Sequence, residues 1–240
     1  MTLKPQIFSR QNLDPATREK MLALHQRNYD GVRAEKFFAD LDAKDWVILL
    51  RDDADGVVGF STQQLISNVP GAGGAKFLFS GDTIVSPEHW NTPYLSGCFG
   101  HLMLRLMDEH PAAPLYWFLI SKGFRTYRFL PVFFNRFWPH PDTVTPPEIS
   151  KLLHAVASHK YYHAYTPADG LVRDPSGDRL SSSLAEIPAN KLADKFVRFF
   201  LDRNPRFADG DELACLAPIT RDNLNILARR VITQTQPEWR

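Results

Sequence analysis

The chain has 240 residues, 44% of them hydrophobic, and 28 Lys and Arg stand against 27 Asp and Glu, for a formal net charge of +1. That composition can fill the core of one large domain, and the even charge balance excludes a global polyanion-binding surface, so neither nucleic acid nor a membrane is an expected partner. Cys98 and Cys215 fit no metal spacing and read as free thiols, and the N-terminus lacks an apolar leader, so the expected location is cytoplasmic, with no metal site.

Asp14-Pro15 has the form of a helix start, with Met21, Leu22, Leu24, His25 and Tyr29 on or near one face behind it. A second short helix over 33–41 offers Phe37, Phe38 and Leu41. Strands over 46–50 and 57–66 flank an Asp- and Gly-rich turn and form a hairpin. Residues 71–74, GAGG, are a loop. The stretch 76–85, KFLFSGDTIV, is rich in aromatic and β-branched residues and predicts a central strand. Simple alternation puts Phe77, Phe79, Gly81, Thr83 and Val85 on one face, and Leu78, Ser80, Asp82 and Ile84 on the other. Gly81 marks a bulge or a close approach of a ligand to the backbone.

Pro87 ends that strand. Thr92-Pro93 has the form of an N-cap and first helical residue, so a helix is expected over 93–109, its first-turn N–H groups forming an anion site. Residues 114–120, PLYWFLI, suit a strand buried on both faces. Residues 124–138 should be helical on either side of Pro131. A Pro-rich connection, a helix over 148–162, a loop over 166–184, a helix over 190–202, a short strand over 212–219 and a last helix over 221–233 complete the chain.

The order β, β, β, α, β, α after two N-terminal helices resembles the acyl-CoA N-acyltransferase fold of the GNAT superfamily. Val85-Ser86-Pro87-Glu88-His89 sits where that family has V-x-P-E/D-x between the central strand and the cofactor helix. The resemblance implies an α/β fold, a GNAT-like mixed β-sheet flanked by helices with a C-terminal helical extension. It is one domain, with a core at about 16–138 and the extension at about 139–240. In the family the next residues are R/Q-x-x-G-x-G/A, whose amides hold the pyrophosphate of coenzyme A. Here they are Trp90-Asn91-Thr92-Pro93-Tyr94-Leu95, without the arginine or either glycine. Gly97 and Gly100 come later and read as close packing of the helix on the sheet.

The resemblance further implies transfer of an acyl group from a coenzyme A or acyl-carrier-protein thioester to an amine of a small molecule. The acyl-CoA or acyl carrier protein would act as co-substrate, with no cofactor bound permanently. In that architecture a bulged central strand splays from its parallel neighbour and the pantetheine arm lies in the gap. Donor contacts are then expected from Gly81, Thr83, Ile84 and Val85, from Trp90, Thr92 and Tyr94, and from Ser121 and Lys122. Lys122, Arg125 and Arg128, at i, i+3, i+6, would form a basic face that docks phosphates or the acidic helix of a carrier protein. Asp82 is a carboxylate in an apolar strand: either a base facing the gap or a structural group bound to backbone. Glu88 and His89 are further candidate bases, and Tyr127 is the candidate proton donor to the leaving thiolate. The aromatic run 129–138 is core or, where it lines a cavity, a wall for a fatty acyl chain or apolar acceptor. A catalytically silent GNAT-like module that binds a ligand or protein is the alternative that the altered loop leaves open.

Overall fold

The computed structural model describes residues 3–174 and 177–240. Its strands are β1 (Lys4–Ser9), β2 (Tyr29–Asp30), β3 (Trp46–Arg51), β4 (Val57–Ile66), β5 (Lys76–Val85), β6 (Leu115–Ser121), β7 (Tyr165–Thr166), β8 (Leu171–Val172), β9 (Arg179–Leu180), β10 (Glu212–Pro218) and β11 (Glu238–Trp239). Its helices are α1 (Pro15–Asn28), α2 (Ala34–Asp42), α3 (Tyr94–Glu109), α4 (Phe124–Tyr127), α5 (Phe129–Phe133), α6 (Pro147–Tyr161), α7 (Ser182–Ala185), α8 (Lys195–Arg203) and α9 (Ile226–Gln234). The main sheet runs β11-β1-β3-β4-β5-β6-β10-β8-β7, while β2 pairs with β9 apart from it. It is the expected mixed sheet flanked by helices. β3, β4 and β5 are successively antiparallel, β5 and β6 are parallel, and β10 returns antiparallel to β6. A parallel pair needs a long crossover, and α3 supplies it.

Each face of the sheet buries its own set of side chains. On one face Phe60 and Ile84 meet Met21 and Leu24 of α1, and Phe77, Phe79 and Phe118 meet Ile149 and Leu153 of α6. On the other, Leu78, Trp117 and Leu119 pack with Leu102 and Leu106 of α3 and Ile232 of α9. Asp14 caps α1 as its sequence predicts, accepting from Thr17 N at 2.8 Å. The glycines of α3 serve a different contact from the one expected. A Cβ on Gly97 would lie 1.9 Å from Thr235 Oγ1, and one on Gly100 would lie 2.2 Å from Ile232 Cγ1. They let α9 and its C-terminal cap approach α3, rather than seating α3 on the sheet.

Two further differences have local causes. β1 lies in the polar N-terminal stretch and carries no strand signal of its own. Its Gln6 is buried because Arg51 Nε donates to it at 3.2 Å and it donates to Glu238 at 2.8 Å, so β3 and β11 satisfy it from both sides. The 166–184 loop carries β8, β9 and α7, with residues 175–176 outside the described set. Beyond residue 138 the chain is more than a helical extension. The expected strand at 212–219 is β10, inside the sheet, and β11 extends the opposite edge by pairing with β1.

The bulge sits at Gly81. Ser61 pairs with Thr83, but Gln63 pairs with Ser80, so Thr62 alone opposes Gly81 and Asp82. A Cβ on Gly81 would come within 2.5 Å of Thr62 Oγ1 and 2.8 Å of Lys44 Cε, which is why the position is glycine. The extra residue reverses the phase of the strand. Asp82 and Ile84 therefore join the face of Phe77 and Phe79, while Thr83 falls on the face of Ser80, correcting the simple alternation read from sequence. Just before the bulge, the β5–β6 pairing ends at Ser80↔Leu119, although β5 continues to Val85 and β6 to Ser121. The strand ends part there.

Candidate functional site

A cavity of about 460 Å³ opens at the parted strands. Thr83, Ile84 and Val85 of β5 form one wall, His89, Trp90 and Thr92 the turn above it, Leu95 and Ser96 the start of α3, and Arg125 and Arg128 the opposite rim. Seven of the expected donor contacts thus converge: Thr83, Ile84, Val85, Trp90, Thr92, Arg125 and Arg128. His89 joins them from the expected catalytic set. The start of α3 differs by a residue from the sequence expectation, since Pro93 is the N-cap and Thr92 Oγ1 lies 3.4 Å from Tyr94 N. Pro93 offers no capping side chain, and Ser96 turns its hydroxyl to Pro93 O at 2.9 Å. Uncapped first-turn N–H groups at a cavity wall are a place for an anionic group.

The rim is tied together. Arg125 lies 4.7 Å over the Trp90 ring and donates to Leu184 O at 2.7 Å, while Trp90 Nε1 donates to Val85 O at 2.8 Å. The expected basic face of Lys122, Arg125 and Arg128 does not exist as a unit. Its helical spacing fails because α4 begins only at Phe124 and is one turn long. Arg128 is paired with Asp194 at 3.1 Å, and Lys122 points to the opposite side of the sheet.

That opposite side carries a cluster legible in sequence only at Asp82 and Lys122. His25 of α1, its side chain 5% exposed, is 2.5 Å from Asp178 through Nε2 and 3.7 Å from Asp82 through Nδ1. Lys122 Nζ meets Asp178 Oδ1 at 2.6 Å and Glu212 Oε1 at 3.6 Å. The Tyr29 ring stacks edge-on to His25 at 4.8 Å, lies under Lys122 at 5.5 Å, and also lines the gap cavity, so it borders both sites. His25, Asp82 and Asp178 offer three ligand-type atoms within 4.8 Å of one another. The Lys122 ammonium already neutralises Asp178, and the group reads as an ion-pair network.

Burial raises the Asp82 carboxyl above its ordinary value despite His25. Burial also pushes Glu212 up to about 7, because Lys122 sits closer to Asp178 and compensates Glu212 less. Asp178 is held low: its bonds from His25 and Lys122 outweigh the opposing cost of burial. A small cleft lined by His25, Asp40, Asp82 and Asp178, and also by Arg33 and Lys36, opens from this cluster between the start of α2 and the segment before β9. The signal for His25 in sequence was a titratable group on an apolar helix face; Asp178 and Glu212 had none.

Several expected site residues lie elsewhere. Tyr127 is fully buried among Phe137, Phe199 and Phe200, and its hydroxyl donates to Pro139 O at 2.8 Å, so it faces no cavity and is withdrawn as the proton donor. Glu88 is exposed on the turn and lines neither site. Tyr94 packs against the Ile7, Ile48 and Leu50 cluster, and Ser121 is buried inside the sheet. Both are removed from the donor contacts.

The strand order and the parting of a bulged β5 from its parallel neighbour resemble the GNAT fold. No family model matches the chain, and no curated protein matches it. Among solved structures it is similar to a protein of unknown function from Enterococcus faecalis V583 described as a probable N-acyltransferase. Identity there is 12% and the TM-score 0.44, over 57% of this chain and 33% of that one. Arabidopsis thaliana NAA60 in complex with acetyl-CoA is 13% identical at a TM-score of 0.41, over 60% and 90% of the two chains. The GNAT family N-acetyltransferase YhbS from Escherichia coli, in complex with CoA, is 13% identical at 0.34, over 51% and 65%. This chain spans about a third of the first protein's length. Among the described residues no helix is long and apolar enough to cross a membrane.

Proposed function

We propose that the protein is an N-acyltransferase that moves an acyl group from a thioester on a phosphopantetheine arm to an amine of a small molecule. The observation that carries this reading is the pairing of Asp82 and Thr83, successive residues on opposite faces of the bulged strand. Thr83 lines the gap cavity and Asp82 lines the acidic cleft. A thioester in the gap and an amine in the cleft would meet at the bulge, where unpaired strand ends leave backbone N–H groups to hold the carbonyl.

In this reading the amine enters the cleft beside Asp82, and His25 takes its proton. Its Nε2 is tied to Asp178, which leaves Nδ1 as the nitrogen without a hydrogen-bond partner. The amine nitrogen attacks the carbonyl carbon, the C–N bond forms, the C–S bond breaks, and the thiolate leaves through the gap. His89, on the cavity wall, is placed to return a proton to that thiolate. Coenzyme A and an acyl carrier protein share the phosphopantetheine arm, and the loss of a combined basic face bears equally on both.

The test is thiol release from acetyl-CoA, butyryl-CoA and butyrylated carrier protein against a panel of primary amines. Amine-dependent release, lost in a His25→Gln protein that still unfolds cooperatively, is the expected result. No release from any donor, with no donor raising the melting temperature, would overturn the reading and leave a catalytically silent module.

A further inference from the structure

A second, narrower cavity of about 50 Å³ lies on the α3 face of the sheet. It shares Thr83, Leu95, Ser96, Thr126 and Phe129 with the gap cavity, so the two are neighbours along one wall. Its own walls are apolar: Phe99 and Met103 of α3, Trp117 of β6, Phe134, and Ala228 and Ile232 of α9.

Three of its polar lining residues, Ser61, Ser80 and Thr83, are already joined in one chain of hydrogen bonds. Trp117 Nε1 donates to Ser80 Oγ at 2.9 Å, Ser80 donates to Gln63 Oε1 at 2.9 Å, and Gln63 Nε2 donates to Ser61 Oγ at 2.7 Å. Ser61 then meets Thr83 Oγ1 at 2.7 Å, and Thr83 donates to Gly81 O at 3.3 Å. The hydroxyl hydrogens of this chain run along it, from Ser80 to the bulge. A cavity whose walls are mostly apolar, and whose Ser61, Ser80 and Thr83 are bonded to one another through Gln63, offers water few partners and suits a hydrocarbon.

We propose that this cavity holds the hydrocarbon end of the donor's acyl chain, and that the chain is short, of about three to four carbons. An apolar cavity of about 150 Å³ takes up benzene, roughly 25 Å³ for each carbon, so 50 Å³ admits about two heavy atoms beyond the carbonyl carbon held in the gap. Acetyl fills the cavity only in part, and a palmitoyl chain does not fit. The role of the occupant rests on the acyltransferase reading; the cavity's affinity for a short alkyl chain does not.

The experiment has two arms on the full chain. In the first, n-alkanols from ethanol to decanol are compared by thermal unfolding at equal free concentration. Stabilisation peaks near propanol and butanol, vanishes in Ala228→Leu, which fills the cavity, and moves to longer alkanols in Met103→Ala, which enlarges it. In the second, acyl-CoA binding is measured by calorimetry, and butyryl-CoA binds about 10-fold tighter than acetyl-CoA, a preference that Ala228→Leu abolishes. Alkanol stabilisation without coenzyme A binding would keep the alkyl site and remove the acyltransferase reading. Equal binding of acetyl- and butyryl-CoA, with no alkanol effect in wild type or Met103→Ala, would overturn the acyl-chain site and leave the acyltransferase reading standing.

Discussion

The Arg125 guanidinium lies 4.7 Å over the Trp90 ring, joining the turn that follows β5 to the helix that follows β6. Beneath that contact the two strands have stopped pairing, so the stack bridges the mouth of the gap cavity. A stacked guanidinium–indole pair at a partly exposed site contributes about 0.5–1 kcal/mol. A double-mutant cycle with Trp90→Leu and Arg125→Met, read by urea unfolding, should return a coupling of that size. Both single variants should also weaken donor binding. Additive single changes would show that the two residues act separately.

Gly81 is set by contact. Gly81→Ala puts a methyl 2.5 Å from Thr62 Oγ1 and 2.8 Å from Lys44 Cε, in a strand buried on both faces. Overpacking of this kind costs about 1–3 kcal/mol, and adding Thr62→Ala should return part of it. A Gly81→Ala protein as stable as wild type in chemical denaturation would mean that the bulge tolerates a side chain.

The ion-pair network gives stability a pH signature. Glu212 is raised from 4.5 to about 7, so between those values the folded chain holds a proton that the unfolded chain has lost. This contribution is full below about pH 4.5 and disappears as pH rises through about 7, at most about 3 kcal/mol. Asp178 has the opposite sign: its depressed value stabilises the fold above the ordinary 3.8 and is lost as pH falls toward the depressed one. Glu212→Gln should flatten the decline in stability between about pH 5 and 7, whereas Asp178→Asn should lower stability at pH 7. An unchanged slope in Glu212→Gln would show that Lys122 compensates both carboxylates.

Catalysis separates the histidine cluster from a merely structural network. Removing a positioned general base typically lowers turnover by about 10²–10⁴. His25→Gln should lose that much in kcat with a small change in donor KM. Asp178→Asn should lose less, because it leaves the imidazole present but poorly oriented. Equal turnover in His25→Gln would return the role of base to Asp82 or to water.

The architecture was legible where local signals agreed with their surroundings. The strand at 76–85, its glycine bulge, the capped α1 and the 57–66 hairpin strand all follow from periodicity and turn chemistry. What stayed hidden was set by contacts distant in sequence. β1 depends on Arg51 and Glu238 to satisfy Gln6, and Gly97 and Gly100 admit residues 232 and 235. The bulge was foreseen at Gly81, but its reversal of side-chain phase was not, and that reversal decides that Asp82 meets His25. Lys122 failed as part of a basic face because spacing of i, i+3, i+6 has meaning only inside a helix, and α4 starts two residues later. Tyr127 shows the same limit from the other side: its hydroxyl was satisfied by Pro139, which no local pattern reveals.

The central claim is that the parting of β5 from β6 is where the donor lies, and hydrogen exchange read by mass spectrometry tests it most directly. With butyryl-CoA at saturation, amides in peptides covering 81–85, 92–97 and 121–126 should slow their exchange, while those of the hairpin at 46–66 stay unchanged. Saturable binding that protects other segments and leaves 81–85 and 121–126 as they were would contradict the account.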